Sequence, residues 1–225
     1  MASYKLNIAR IKGCPAPKRV GELMAKFGLP PSEEFGVLNH QAADSTLFGT
    51  IVRKTQQTVQ RLSPETNELT SDVVERVAVY PFGIKPDTEQ LEVYAGSAAA
   101  IEQVGAFLSN CLALPVVVEA IEIEVPDALE KLAKHTKNLQ LRSLRVSEYA
   151  HNSFMIGPYT PKFLDSEHGK EFLDQYADFI TTASVRFAGS KGKVMASLSK
   201  KACFSFSCHE DDLSAVKSIL RKLAT

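Results

Sequence analysis

The chain has 225 residues, 44% of them hydrophobic, which is enough to bury a sizeable core in one large domain or two small ones. Lys+Arg and Asp+Glu balance at 26 each, which by itself argues neither for a nucleic-acid coat nor for a membrane surface. The longest apolar run, Leu112 to Val118, is far short of the roughly 20 residues that cross a bilayer. Cys14, Cys111, Cys203 and Cys208 form no C-x-x-C pair, and the N-terminus has no signal-peptide core, so the expectation is a cytoplasmic protein with reduced thiols and no membrane partner. The charge is polarised along the chain. Residues 1–130 carry 11 basic and 17 acidic side chains, a net of −6, while residues 131–225 carry 15 and 9, a net of +6.

In chain order, Tyr4 to Ile11 alternates as a strand and ends at Lys12-Gly-Cys-Pro. A helix is expected over 18–27, with Val20, Leu23, Met24 and Phe27 at helical spacing and a stop at Gly28 and Pro30-Pro31. Residues 32–45 lack a period and read as loop, 46–54 as a strand, and the polar stretch 55–72 as an extended excursion outside the core. Strand character returns at Val73 to Ile84, and after the turn at Lys85-Pro-Asp-Thr-Glu, Leu91 to Ala95 pairs back. Ser97 is placed to cap a helix whose apolar face is Ile101, Val104, Phe107, Leu108 and Cys111.

The second half is expected to open with a strand over Val116 to Val125 and a short helix behind Pro126. Asn138 to Tyr149 reads as a strand with a change of phase near Ser143, His151 to Pro161 as a loop, and Glu167 to Ile180 as a helix. Ser184 to Phe187 is a short strand, 188–193 a flexible basic loop, and Val194 to Cys208 β-like. An amphipathic helix closes the chain from Glu210 to Leu223, with Leu213, Val216, Ile219, Leu220 and Leu223 on one face, acids in its first turn and Lys217, Arg221 and Lys222 towards its end.

Strand runs closed by helices indicate an α+β fold of antiparallel sheets backed by helices, with halves 1–113 and 114–225 that could also form one continuous domain. Shifting Ile101, Val104, Phe107 and Leu108 by 112 residues lands on Leu213, Val216, Ile219 and Leu220, which suggests an internal duplication. In order of elements alone, each half resembles the repeat of TATA-box-binding-protein-like folds, a curved antiparallel sheet with helices on its back. No functional position is carried over from that resemblance.

Gly189-Ser-Lys-Gly-Lys-Val194 fails as a phosphate loop, because Phe187 stands where the first glycine is needed and Val194 where a Ser or Thr is. Cys203, Cys208 and His209 have no second ligand pair, and a spacing of five puts the two cysteines on opposite faces of a strand. Glu119, Glu122 and Glu124, with Asp127, read as a wet strand face and not as a carboxylate site. His151-Asn152-Ser153 with Tyr149 and Tyr159 reads as loop residues with no nucleophile signature around them. No cofactor, metal or catalytic residue is therefore assigned.

What remains is charge. Lys131, Lys134, Lys137, Arg142 and Arg145 form one basic cluster and Arg186, Lys191, Lys193, Lys200 and Lys201 a second. The expectation is a non-enzymatic nucleic-acid-binding protein that contacts phosphates through Lys134, Lys137, Arg142, Arg145, Arg186, Lys191, Lys193, Lys200 and Lys201. Phe204 and Phe206 either stack on bases or pack into the core, and their period of two favours the core. The alternatives are an interaction or assembly module, whose −6 and +6 halves meet a charged protein partner or a second copy, and an enzyme without a recognisable motif.

Overall fold

Alternating apolar residues on the strands and apolar stripes on the helices resolve, in a computed structural model, into an α+β protein with a large antiparallel sheet and, among the described residues, five α-helices. The structure describes residues 2–27, 34–43, 45–62, 64, 67–96, 99–113, 115–152, 154–164 and 166–224. The helix stop at Gly28 and Pro30-Pro31, the cap at Ser97, the Ser153 of the histidine segment and parts of the turn after Leu62 lie outside them. The strands are β1 (Ala2–Lys12), β2 (Phe35–Ala43), β3 (Thr46–Leu62), β4 (Leu69–Lys85), β5 (Gln90–Val93), β6 (Val117–Ala120), β7 (Lys137–Asn152), β8 (Met155–Tyr159), β9 (Ile180–Ala188), β10 (Lys193–Ser199) and β11 (Cys203–Cys208). The helices are α1 (Pro17–Met24), α2 (Ala99–Leu112), α3 (Val125–His135), α4 (Ser166–Gln175) and α5 (Leu213–Leu223). No helix among the described residues is long and apolar enough to cross a membrane.

The chain divides into two compact units. The first comprises Met1–Arg10, Gly96–Ile101 and Glu119–Thr225, and its strands lie in the order β1-β11-β10-β9-β7-β8, all neighbours antiparallel where their register is defined. Its core lies on one face of that sheet. Leu6, Ile8, Val185, Phe187, Val194, Leu198, Phe204 and Phe206 are buried there with Leu132 of α3 and Val216, Leu220 and Leu223 of α5. Phe204 and Phe206 are thus core, as their period indicates, and Phe206 stacks on Tyr4 across the β1–β11 ladder with ring centroids 5.5 Å apart. On α5, Leu213 and Ile219 are only half-buried, so its inward stripe is narrower than the apolar pattern suggests.

The second unit comprises Ile11–Ala95 and Glu102–Val118, with strands in the order β2-β3-β4-β5. Val20 and Met24 of α1 and Val104, Phe107 and Leu108 of α2 are buried with Leu47, Ile51, Phe82, Ile84, Leu91 and Val93. At the edge of this core the Arg53 guanidinium lies 5.4 Å from the centroid of the Phe35 ring and reaches Glu34 and Gln103.

Several expectations are corrected. Residues 35–43 form β2 and not a loop. This edge strand carries a bulge between Val37 and Asn39, which destroys the alternation by which a strand is recognised. The polar excursion after Lys54 is regular β-hairpin: β3 and β4 pair without a break from Leu47↔Ile84 to Leu62↔Leu69. Its outer half is solvated on both faces, so its residues show no core-facing period. The strand expected over Val116 to Val125 keeps only Val117–Ala120. The loop expected after His151 contains β8, and the helix expected to Ile180 ends at Gln175, a 3-10 turn at Ala177–Phe179 leading into β9.

Candidate nucleic-acid interface

Because neighbouring strands place paired residues on one side of a sheet, the registers define what covers the face of the first unit opposite α3 and α5. Four rows run across it. Lys193, Ala188 and Lys137 form the first row, and Ser3, Ser207, Met195, Arg186 and Gln140 the second. Lys5, Ser205, Ser197, Ser184 and Ser143 form the third. The fourth brings Ser199, Thr182 and Arg145 together, with Asn7 and Cys203 paired at the same level. Strand and residue spacings make this surface about 20 Å by 20 Å.

Its chemistry is one-sided. β1, β9, β10 and β11 contain no Asp or Glu, and the one acid of β7, Glu148, lies beyond the stretch that pairs with β9. The face offers cations, hydroxyls and amides. Arg186 is held in place: its Nε donates to Gln140 Oε1 at 3.1 Å, and Nη2 donates to the same oxygen. Lys5 Nζ donates to the Gly96 carbonyl at 3.4 Å, while Lys137, Arg145 and Lys193 are exposed.

Of the nine basic residues singled out in the sequence, Lys137, Arg145, Arg186 and Lys193 fall on this face. Lys191 sits in the β9–β10 connection at one end of it. Lys200 and Lys201 lie in the β10–β11 connection, where Lys200 Nζ is 3.5 Å from Glu124 Oε1. Lys134 is in the last turn of α3, and Arg142 stands at the register shift between Leu141 and Ser143. Lys5 escaped the sequence reading because it belongs to the acidic half, and only the pairing of β1 with β11 brings it here. The serines escaped because Ser carries no charge signal.

The basic loop is not a loose finger at its base. Asp212, buried at the start of α5, accepts from the Ser190 amide at 2.9 Å, the Lys191 amide at 3.2 Å and the Ser190 hydroxyl. The Ser190 hydroxyl bond above all, with the Lys191 and Ser190 amides, outweighs desolvation and holds the carboxyl below its usual range. Gly189 is required, since a Cβ there would sit 2.5 Å from Asp212 Oδ2.

Burial pushes the Cys14 and Cys111 thiols up to about 11, so neither is a thiolate at neutral pH. Cys203 is half-exposed on the open face while Cys208 is buried on the other, as the spacing of five requires. No group of three or more metal-ligating side chains occurs among the described residues. His151 packs edge-on against Tyr149 and Tyr159, at 5.1 and 6.0 Å, within a ring cluster that includes Phe172 and Tyr176. A cleft of about 350 Å³ on the helical side is lined by Leu129, Leu139, Leu141, Leu173 and Val185. Comparison with models of known protein families finds no match, and comparison with curated proteins finds none either.

Proposed function

We propose that the protein binds nucleic acid without catalysis, through the face formed by β1, β11, β10, β9 and β7 opposite α3 and α5. The observation that carries this reading is the acid-free composition of that face, where Lys5, Lys137, Arg145, Arg186 and Lys193 surround a field of Ser and Thr hydroxyls. Lys and Arg release counterions from phosphates, and Ser and Thr hydroxyls donate to phosphate oxygens, so such a face grips backbone and not bases. With Phe204 and Phe206 buried, base stacking by these rings has no part in it. The setting is taken to be cytoplasmic.

The proposed duplication of TATA-box-binding-protein-like topology belongs to the same reading. It is supported by element order, since β1-α1-β2-β3-β4-β5-α2 and β6-α3-β7-β9-β10-β11-α5 correspond once β8 and α4 are set aside. Within the units, the strand orders β2-β3-β4-β5 and β7-β9-β10-β11 also correspond.

Fluorescence anisotropy with labelled single- and double-stranded oligonucleotides at low salt is the test. Binding is expected in the range of non-specific affinities, roughly 1–100 μM, weakening with salt at a slope of about −0.9 per contacted duplex phosphate. Lys193→Glu and Arg145→Glu should weaken binding, whereas Lys134→Glu and Lys201→Glu, off the face, should matter much less. Absence of binding across that range, or equal losses in both pairs, overturns the reading.

A further inference from the structure

The outer half of the β3–β4 hairpin raises a separate question, because two strands alone are marginally stable in water and this ribbon has solvent on both sides. Eight residue pairs, from Thr55↔Arg76 to Leu62↔Leu69, extend it by about 26 Å. The two faces of the arm differ. On one lie the rungs Leu62–Leu69, Gln60–Ser71, Thr58–Val73, Gln56–Glu75 and Lys54–Val77, followed by Val79. Leu62, Leu69, Val73, Val77 and Val79 on this face are between 48% and 68% exposed. The other face carries Arg53, Arg76, Arg61 and Asp72 around Val59 and Val74, both half-buried.

We infer that the apolar face of this arm is a two-fold contact with a second copy of the chain. Along β4 the apolar residues Leu69, Val73 and Val77 alternate with Ser71 and Glu75, and along β3 Gln60 and Gln56 flank Thr58, so about the Thr58–Val73 rung the face repeats from either end except that Leu62 closes one end and Lys54 the other. An antiparallel second arm, with the axis through the Thr58–Val73 rung, sets Leu69 of each copy against Val77 of the other, Val73 against Val73, Gln60 against Gln56, and Leu62 against the methylene stem of Lys54. Such self-complementarity is what an isologous contact demands.

The two ionic groups on this face, Lys54 and Glu75, pair within one copy at 3.7 Å, so the surface is neutral and two copies do not repel. A neutral apolar stripe has nothing to offer a phosphate backbone, which separates this surface from the basic one. The five exposed side chains offer roughly half of the ~800 Å² per partner found in standard interfaces, and the flanking Gln, Thr and Ser side chains extend it. A moderate, concentration-dependent dimer follows.

The experiment is sedimentation and light scattering of the full, nuclease-treated chain over a concentration series, with no nucleic acid present. A dimer is expected. Val73→Lys puts two like charges on the axis and should raise the dimer dissociation constant by about tenfold or more, with an unchanged circular dichroism spectrum. Thr70→Lys, exposed on the opposite face, should leave the dimer intact. Independently, Val73→Cys should form a disulfide-linked dimer under mild oxidation, which Thr70→Cys and the unmodified chain should not. A chain that stays monomeric throughout, or V73K and T70K proteins that dissociate alike, overturns the inference. Neither result bears on oligonucleotide binding, so this contact and the basic face fail or stand separately.

Discussion

Asp212 and Gly189 carry more of the β9–β10 connection than any lysine in it. The carboxylate accepts three hydrogen bonds from Ser190 and Lys191, which hold its folded-state pKa below the ordinary aspartate range. A group depressed in this way contributes stability that is complete above its unfolded pKa and is lost as pH falls through the lower folded value. Asp212→Asn should therefore destabilise the protein at neutral pH and flatten the fall of stability with acid below about pH 4, measured by urea denaturation across a pH series. Gly189→Ala should loosen the same connection, because its Cβ and the Asp212 carboxylate compete for one place. Hydrogen exchange at Ser190 and Lys191 reports it: protection in the unmodified chain and its loss in the variant are expected, and unchanged exchange would show that the loop holds without the clasp.

At the scale of elements, α5 illustrates how a helix that is easy to see in sequence still hides its inward edge. Its apolar residues occupy a broad stripe, yet Val216, Leu220 and Leu223 are buried while Leu213 and Ile219 are half-exposed. Leu220→Ala should cost about 2–5 kcal/mol, as for fully buried leucines, and Ile219→Ala distinctly less, about 1–2 kcal/mol. Equal losses in chemical denaturation would mean that α5 sits rotated from this placement. The β3–β4 arm gives the opposite lesson. Its strands are regular and long, but with both faces wet no residue has to be apolar, so the stretch Thr55 to Asp72 shows no core-facing pattern to mark it as strand. β2 is hidden for a related reason, a bulge in an edge strand.

For the molecule as a whole, charge is distributed by packing and not by position along the chain. The unit formed by Met1–Arg10, Gly96–Ile101 and Glu119–Thr225 holds 17 basic and 14 acidic residues, and the other unit 9 and 12. The difference between units is thus smaller than that between the sequence halves, because Glu119 to Glu130 fold with the basic residues. The proposed interface depends instead on segregation within one unit, where the strands shed their acids to helices and connections. Combining Lys137→Glu, Arg145→Glu and Lys193→Glu should abolish oligonucleotide binding with little change in melting temperature, since exposed charges contribute little to stability. Single replacement of a contacting lysine should reduce the salt slope by about 1. A slope unchanged in all three single variants would remove these residues from any interface.

The sequence by itself determined the α+β class, the main helices, the β4–β5 turn, the phase change in β7 and the core placement of Phe204 and Phe206. Each rests on local periodicity or turn chemistry, which a single segment expresses alone. It also identified Lys137, Arg145, Arg186 and Lys193 as candidates, though mixed with Lys134, Lys200 and Lys201, because sequence distance cannot tell which face a lysine shares. Tertiary structure decided the rest. Lys5 joins the candidate face through the pairing of β1 with β11, nearly 200 residues away, and the row of serines becomes a surface only when five strands align. The arm's apolar stripe emerges only once the β3–β4 register is set, since a face is a property of paired strands and not of either strand alone.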